Sequence, residues 1–286
     1  ANPGGAPANM AVAAARLGCR TAFIGKVGQD AFGDSLRKTL QKNGVDTTTM
    51  QVDPVQPTTL AVVTLDAAGE RSFSFYRNPG ADTMLRAEEV PQAILESTKF
   101  FHFGSVSLTA DPERTATLDA VHRAKKAGAL ITFDPNYRAN LWPDAKNAVA
   151  QIQAALPLAD ILKVSDEEMT LLTGCTDPQE GSLRLMALGI PLVLITLGAD
   201  GACYRMGDCY GKVNGFAVKV ADTNGAGDTF LGAFLSRIKE RERLSELDDA
   251  KLREAVTFAN KAASLTTSRP GAIPAMPTLQ EVSAGE

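Results

Sequence analysis

From Phe100 onward, short apolar runs alternate with longer amphipathic segments, and glycines fall where the longer segments stop. Residues 100–103, 129–134, 161–164 and 192–197 read as strands. Residues 111–127, 145–155, 166–173 and 178–188 read as helices, with Gly128, Gly174 and Gly189 as stops. Strands joined through helices pair in parallel, and their sheet is covered on both faces. The run 192–197, Leu-Val-Leu-Ile-Thr-Leu, suits a strand buried on both sides. Residues 202–206 and 210–218 form a hairpin-like stretch, and 229–239 and 251–267 are helices. The expected fold is therefore a mostly parallel α/β sheet, with ligands bound beyond the carboxyl ends of its strands.

The first third has a different texture. Residues 6–17 suit a helix ending at Gly18, 21–27 a short buried strand, and 34–42 an amphipathic helix closed by Asn43-Gly44. Residues 47–52, 59–66 and 71–77 are rich in β-formers, with 67–70 as a hairpin connection. They read as a small antiparallel sheet inserted in the larger fold, a candidate lid. The chain then divides into a first part of the α/β core (1–46), a β lid insertion (47–80) and the remaining core (81–286). The chain opens in a turn, Ala1-Asn2-Pro3-Gly4-Gly5, where an α/β domain usually opens with a buried strand. A preceding strand outside this sequence is expected.

Composition narrows the partners. A formal net charge of -4 argues against a nucleic-acid binder that relies on a broad basic face. No apolar run has membrane-spanning length. Cys19, Cys175, Cys203 and Cys209 lack metal-ligand spacing and read as scattered thiols in a reducing compartment. A cytoplasmic location is the default expectation.

The chemistry concentrates in Asp222-Thr223-Asn224-Gly225-Ala226-Gly227-Asp228, followed at once by an apolar helical pattern. A small-residue turn feeding a helix gathers free N–H groups at the positive end of the helix dipole, which suits a phosphate. An acid at that mouth repels phosphate unless it takes a proton from an attacking hydroxyl. Phosphoryl transfer to an alcohol follows.

Other segments are more ambiguous. Gly4-Gly5-Ala6-Pro7-Ala8-Asn9 offers close backbone approach and a carboxamide for polyol hydroxyls, or a plain turn. Asp134-Pro135-Asn136-Tyr137-Arg138 ends a strand where a ligand binds, or is an Asx-Pro turn. Ser165 with Glu168 makes a capping box, or Glu168 holds Mg²⁺ through water. Thr196-Leu197-Gly198-Ala199-Asp200-Gly201 suits a nucleotide phosphate, or an ordinary turn. No Walker, nucleophile-elbow or zinc motif occurs, and His102 and His122 read as structural.

Two of these segments resemble the ribokinase-like sugar kinases of the PfkB family. They are Gly4 to Asn9, continuing through Gly25-Lys26-Val27-Gly28-Gln29-Asp30 to Gly33, and Asp222 to Asp228. The resemblance covers residues 1 to about 277 and implies a three-layer α/β fold with a small β lid. It implies Asp228 as base and the backbone of Gly225, Ala226 and Gly227 as an anion hole. Gly4, Gly5 and Asn9 would contact sugar, together with Arg77, Asn136 and Arg138. Lys163, Thr196, Gly198, Gly201 and Asn260 would serve ATP. Glu168 matches the acid of an Asn-x-x-Glu motif whose Asn is Ser165 here. A monovalent cation, K⁺, would lie by Asp222, Asn224, Thr266, Arg269 and Gly271, with Ala275 where a Ser is usual. Residues 73–82 and 134–143 look most like the fructokinase branch, with ribose, 2-keto-3-deoxygluconate and aminoimidazole riboside as other acceptors. A homodimer through the lid is implied, and a non-catalytic sensor on the same fold is the alternative from another class.

Overall fold

Gly5, with φ 128°, turns the chain into α1 (Ala6–Arg16), and Pro7 sits in the first turn, where its missing N–H is not needed. The computed structural model describes residues 3–65, 71–241 and 243–284, without the side chains of 63–65 and 71–73. The expected strand 21–27 is two strands, β1 (Thr21–Ala22) and β2 (Gly25–Gly28). Asp30 caps α2 (Ala31–Lys42) by accepting from the N–H groups of Phe32 and Gly33, so this helix begins earlier than its apolar pattern suggests. β3 (Val45–Asp46) and β4 (Met50–Asp53) follow and pair in parallel with β1 and β2.

This corrects the assignment of 47–52 to an antiparallel lid sheet. α2 acts as a crossover, and Val27, Leu40 and Met50 are buried with Val12 and Ala13 of α1. The antiparallel pair is β5 (Leu60–Leu65) with β6 (Arg71–Tyr76). Its expected connection, 67–70, lies outside the described residues.

The main sheet is built from α3 (Gln92–Ser97), β7 (Phe100–Gly104), α4 (Glu113–Lys126), β8 (Leu130–Asp134), α5 (Ala145–Ala155), β9 (Ile161–Ser165), α6 (Asp166–Thr173), α7 (Pro178–Met186) and β10 (Leu192–Thr196). β11 (Ala202–Met206) and β12 (Cys209–Val213) add an antiparallel edge, giving the order β12-β11-β10-β9-β8-β7. Strand 210–218 stops at Val213, where the Asn260 carboxamide donates to the carbonyls of Val213 and Asn214. α8 (Ala226–Ile238), α9 (Asp249–Thr267) and α10 (Leu279–Ser283) complete the chain. The short helices α3 and α10 carry too few periodic residues to be visible in the sequence.

Strand parity divides the core. Phe133, Leu162, Val164, Val193 and Ile195 face the layer that holds α4, α5, α6 and α7. Ile161, Leu192, Leu194 and Tyr204 face α8 and α9. Lys163 shares the parity of Ile161, which sends it toward α8. β7 pairs with β8 on one side. On its other side lies a cavity of about 1570 Å³, bordered by β1, β2, α1 and the N-terminus of α8.

Candidate active site

Asp228 lies in the first turn of α8, behind Gly225, whose left-handed φ of 78° makes it the helix N-cap. The N–H groups of Ala226, Gly227 and Asp228 precede the first intrahelical bonds and carry the positive end of the dipole. The Asp228 carboxylate, 8% exposed, is held at both oxygens. Oδ2 accepts from Asn9 Nδ2 at 2.9 Å and Oδ1 from Asn136 Nδ2 at 3.1 Å. Burial pushes its pKa up to about 6, Asp134 adds to the rise, and Asn9, Lys163 and Arg138 oppose it. Asn9 Oδ1 is buried without a hydrogen-bond partner and lies next to Gly4, ready to accept from a hydroxyl.

Beneath this turn lies a charge pair that the sequence did not single out. Lys163 Nζ meets Asp134 Oδ2 at 3.0 Å, with both side chains almost wholly buried. A methyl on Gly227 would stand 2.8 Å from Lys163 Nζ, so the ammonium sits directly against the proposed anion hole. Burial alone would lower the Lys163 pKa, but Asp134, Glu168 and Asp228 outweigh it and hold the group above its ordinary value. The cation is therefore permanent. Asp134 went unassigned because its role depends on register. β8 pairs Phe133 with Leu162, and one step on brings Asp134 beside Lys163. The available signal was a charged residue in each of two apolar strands.

Glu168 takes its expected capping role and a second that the sequence did not suggest. It closes the capping box with Ser165, and its Oε1 accepts from Tyr137 N at 2.7 Å. Burial, with Asp134 nearby, raises its pKa. Each Oε atom keeps one lone pair, which fits water around a metal better than direct ligation. Among the described residues, no group of three or more His, Cys, Asp or Glu is arranged to hold a metal ion.

Gly4, Gly5, Asn9, Asn136, Arg138, Asp222, Asn224, Gly225, Asp228 and Gly271 all line the cavity. Arg138 is exposed there, its Nη1 donating to the Tyr137 carbonyl. Arg77 borders the same cavity, but its guanidinium is engaged by Asp82 (2.6 Å), Thr109 (2.6 Å) and Glu113 (2.7 Å). It braces β6 against α4 and has little left for a sugar.

Thr196, Gly198 and Gly201 stand at the carboxyl end of β10. Thr196 pairs with Ser165 across the sheet, so this turn adjoins Glu168. Gly201, at φ 92°, admits no side chain, because a methyl would lie 2.1 Å from the Val213 carbonyl. Asn260 is buried and spends its amide on the Val213–Asn214 backbone, so it shapes that side of the site through the loop.

The residues expected around K⁺ cluster only in part. Asp222 braces two turns, accepting from Asn224 N at 2.8 Å and Gly271 N at 3.0 Å. The Thr266 hydroxyl donates to Thr229 Oγ1 between α9 and α8, and Arg269 pairs with Glu281. A cation here would have to rely largely on backbone carbonyls.

Comparison with known proteins agrees with this geometry. The model of the pfkB family carbohydrate kinases matches residues 1–279. The chain is 46% identical over 281 residues to probable fructokinase-4 of Arabidopsis thaliana, covering 98% of this chain and 86% of that protein. It is similar to the structure of fructokinase from Vibrio cholerae O395 in its fructose-, ADP- and calcium-bound form, at 39% identity and a TM-score of 0.90, over 99% of this chain and 91% of that one. It is also similar to aminoimidazole riboside kinase from Salmonella enterica, complexed with aminoimidazole riboside and an ATP analog, at 34% identity and a TM-score of 0.86, over 98% and 91%. With a buried carboxylate over a helix N-terminus and a match across nearly its whole length, the chain belongs to the pfkB family of carbohydrate kinases, on a ribokinase-like α/β fold.

Proposed function

We propose that the protein transfers the γ-phosphoryl group of ATP to the primary hydroxyl of D-fructose, giving fructose 6-phosphate and ADP. The observation that carries this is Asp228, buried at the start of α8 and held at both oxygens beside the helix's N-terminal N–H groups.

Asp228 takes the proton of the sugar hydroxyl. The hydroxyl oxygen bonds to the γ-phosphorus, and the bridging P–O bond breaks with its electron pair leaving on ADP. Charge on the transferring group meets the N–H groups of Gly225, Ala226 and Gly227, with Lys163 fixed behind them. A pKa of about 6 leaves Asp228 ionised at neutral pH yet still basic enough to accept a proton. The unpartnered Asn9 Oδ1 receives a second sugar hydroxyl. Mg²⁺ would neutralise the β- and γ-phosphates, with Glu168 holding its water shell.

Fructose is favoured by the fructokinase names among the relatives and by the fructose-bound neighbour. Aminoimidazole riboside is the second reading, supported by the Salmonella structure. Among the described residues β7 ends its sheet, and the cavity beside it supports the expectation of a further strand there.

Purified protein with ATP should phosphorylate fructose and leave ribose, 2-keto-3-deoxygluconate and aminoimidazole riboside largely unused. Asp228→Asn should lower kcat by about 10²- to 10⁴-fold with little change in the KM for ATP. Turnover of another sugar but not fructose would replace the substrate, and near-normal turnover by Asp228→Asn would remove the base.

A further inference from the structure

Asn136 is the one non-glycine residue among those described with a positive φ, at 46°. Asn tolerates left-handed backbone better than other side chains do, yet a turn that only needed this shape would be met more easily still by glycine. Three hydrogen bonds hold the conformation. The Pro135 carbonyl accepts from Ser105 N at 3.0 Å, Asn136 N donates to Asp134 Oδ1 at 3.1 Å, and Tyr137 N donates to Glu168 Oε1 at 2.7 Å. Three consecutive residues are thus pinned, two by distant parts of the fold and one by the carboxylate that ends β8. The result is that the Asn136 carboxamide reaches Asp228 Oδ1 at 3.1 Å. Strain held in place by its surroundings, with a side chain delivered to a reactive group, marks a functional position.

We propose that Asn136 is a positioning residue for the base: its strained backbone delivers a carboxamide that, opposite Asn9, stops rotation of the Asp228 carboxylate and aims the remaining lone pairs at the acceptor hydroxyl. This rests on the reading of Asp228 as base and deepens it. Glu168 and Asp134 then act one step further out, through the turn they pin. An N–H donor also favours the ionised carboxylate, so loss of Asn136 raises the Asp228 pKa. The other charged groups facing Asp228 are Asp134 from β8, Lys163 from β9 and Arg138 of the same turn, with Glu168 of α6 acting on Lys163; all of these stay in place when only residue 136 is changed.

Asn136→Gly separates side chain from backbone, because glycine keeps the left-handed turn and deletes the carboxamide. The expected result is a protein that still folds and melts cooperatively, relief of the left-handed backbone offsetting part of the lost hydrogen bond, with kcat lower by about 10- to 100-fold, the loss of one hydrogen bond to a charged group. The acidic limb of kcat/KM moves to higher pH, and the KM for ATP holds. Asn136→Asp tolerates the same backbone but sets a carboxylate against Asp228, so its loss of kcat is larger than that of Asn136→Gly. Unchanged kcat and acidic limb in Asn136→Gly, or a rise in sugar KM alone with the limb unmoved, overturns the proposal. Asp228→Asn measured in parallel keeps the two readings apart: if it is inactive while Asn136→Gly is normal, only the positioning role falls, and if it is active, the base assignment falls.

Discussion

At the scale of single residues, the site trades stability for reactivity. The Asp228 pKa is raised from an ordinary 3.8 to about 6, so the folded protein binds this proton more tightly than the unfolded chain does. That stabilising contribution is complete below about pH 4 and disappears as pH rises through about 6. Ionised Asp228 is therefore a burden at neutral pH, of about 3 kcal/mol. Asp228→Asn should melt higher than the unmodified protein at pH 7.5, with the difference shrinking toward pH 4. Thermal scans across that range check it, and equal melting temperatures at pH 7.5 would mean the carboxylate is not strained by burial. Asp228, Asn9 and the glycines before α8 were legible in the sequence because helix-terminus chemistry is local. Asp134 was not, since nothing nearby in the chain says which residue of β9 it meets.

At the scale of elements, the distance between Asn9 and Asp228 is set by how closely α1 and α8 approach. Gly232 lies in the middle of α8, where a methyl would stand 2.9 Å from Ala13 Cβ, Ala14 N and the Met10 carbonyl. The neighbours are small residues and backbone, with no flexible tip to yield. Gly232→Ala should force the helices apart and cost about 1–3 kcal/mol, the usual penalty of overpacking. Because Asn9 and Asp228 sit on the two separated helices, kcat should fall too. Denaturant titration and turnover on one preparation check both, and full activity despite lost stability would detach the Asn9 contact from helix packing. The sequence showed both helices but not their contact. A glycine inside an apolar helical run was the only trace of it. The parallel pairing of β4 with β2 escaped for a related reason: β-forming residues reveal a strand but not its partner.

At the scale of the whole molecule, Arg77 ties the β5–β6 hairpin to the core. Its guanidinium joins Asp82, Glu113, Thr109 and the Val106 carbonyl. Burial pushes Glu113 well above the usual carboxylate range, Asp82 adds to this, and Arg77 opposes it. Arg77→Ala leaves that acid buried without its counter-charge and should cost about 3–5 kcal/mol, reduced to the extent that Glu113 takes up a proton. Urea titration checks it; unchanged stability with a raised sugar KM would return Arg77 to the sugar site. By itself the sequence determined the α/β class, the order of core strands and helices, and the phosphate turn with its acid. These depend on periodicity and on glycines at helix ends, which act over a few residues. Tertiary structure alone decided that Lys163 stands under Gly227, that Asn9 and Asn136 grip one carboxylate from opposite sides, and that Arg77 is a brace. Those contacts join residues tens to hundreds of positions apart, and only strand register and helix packing bring them together.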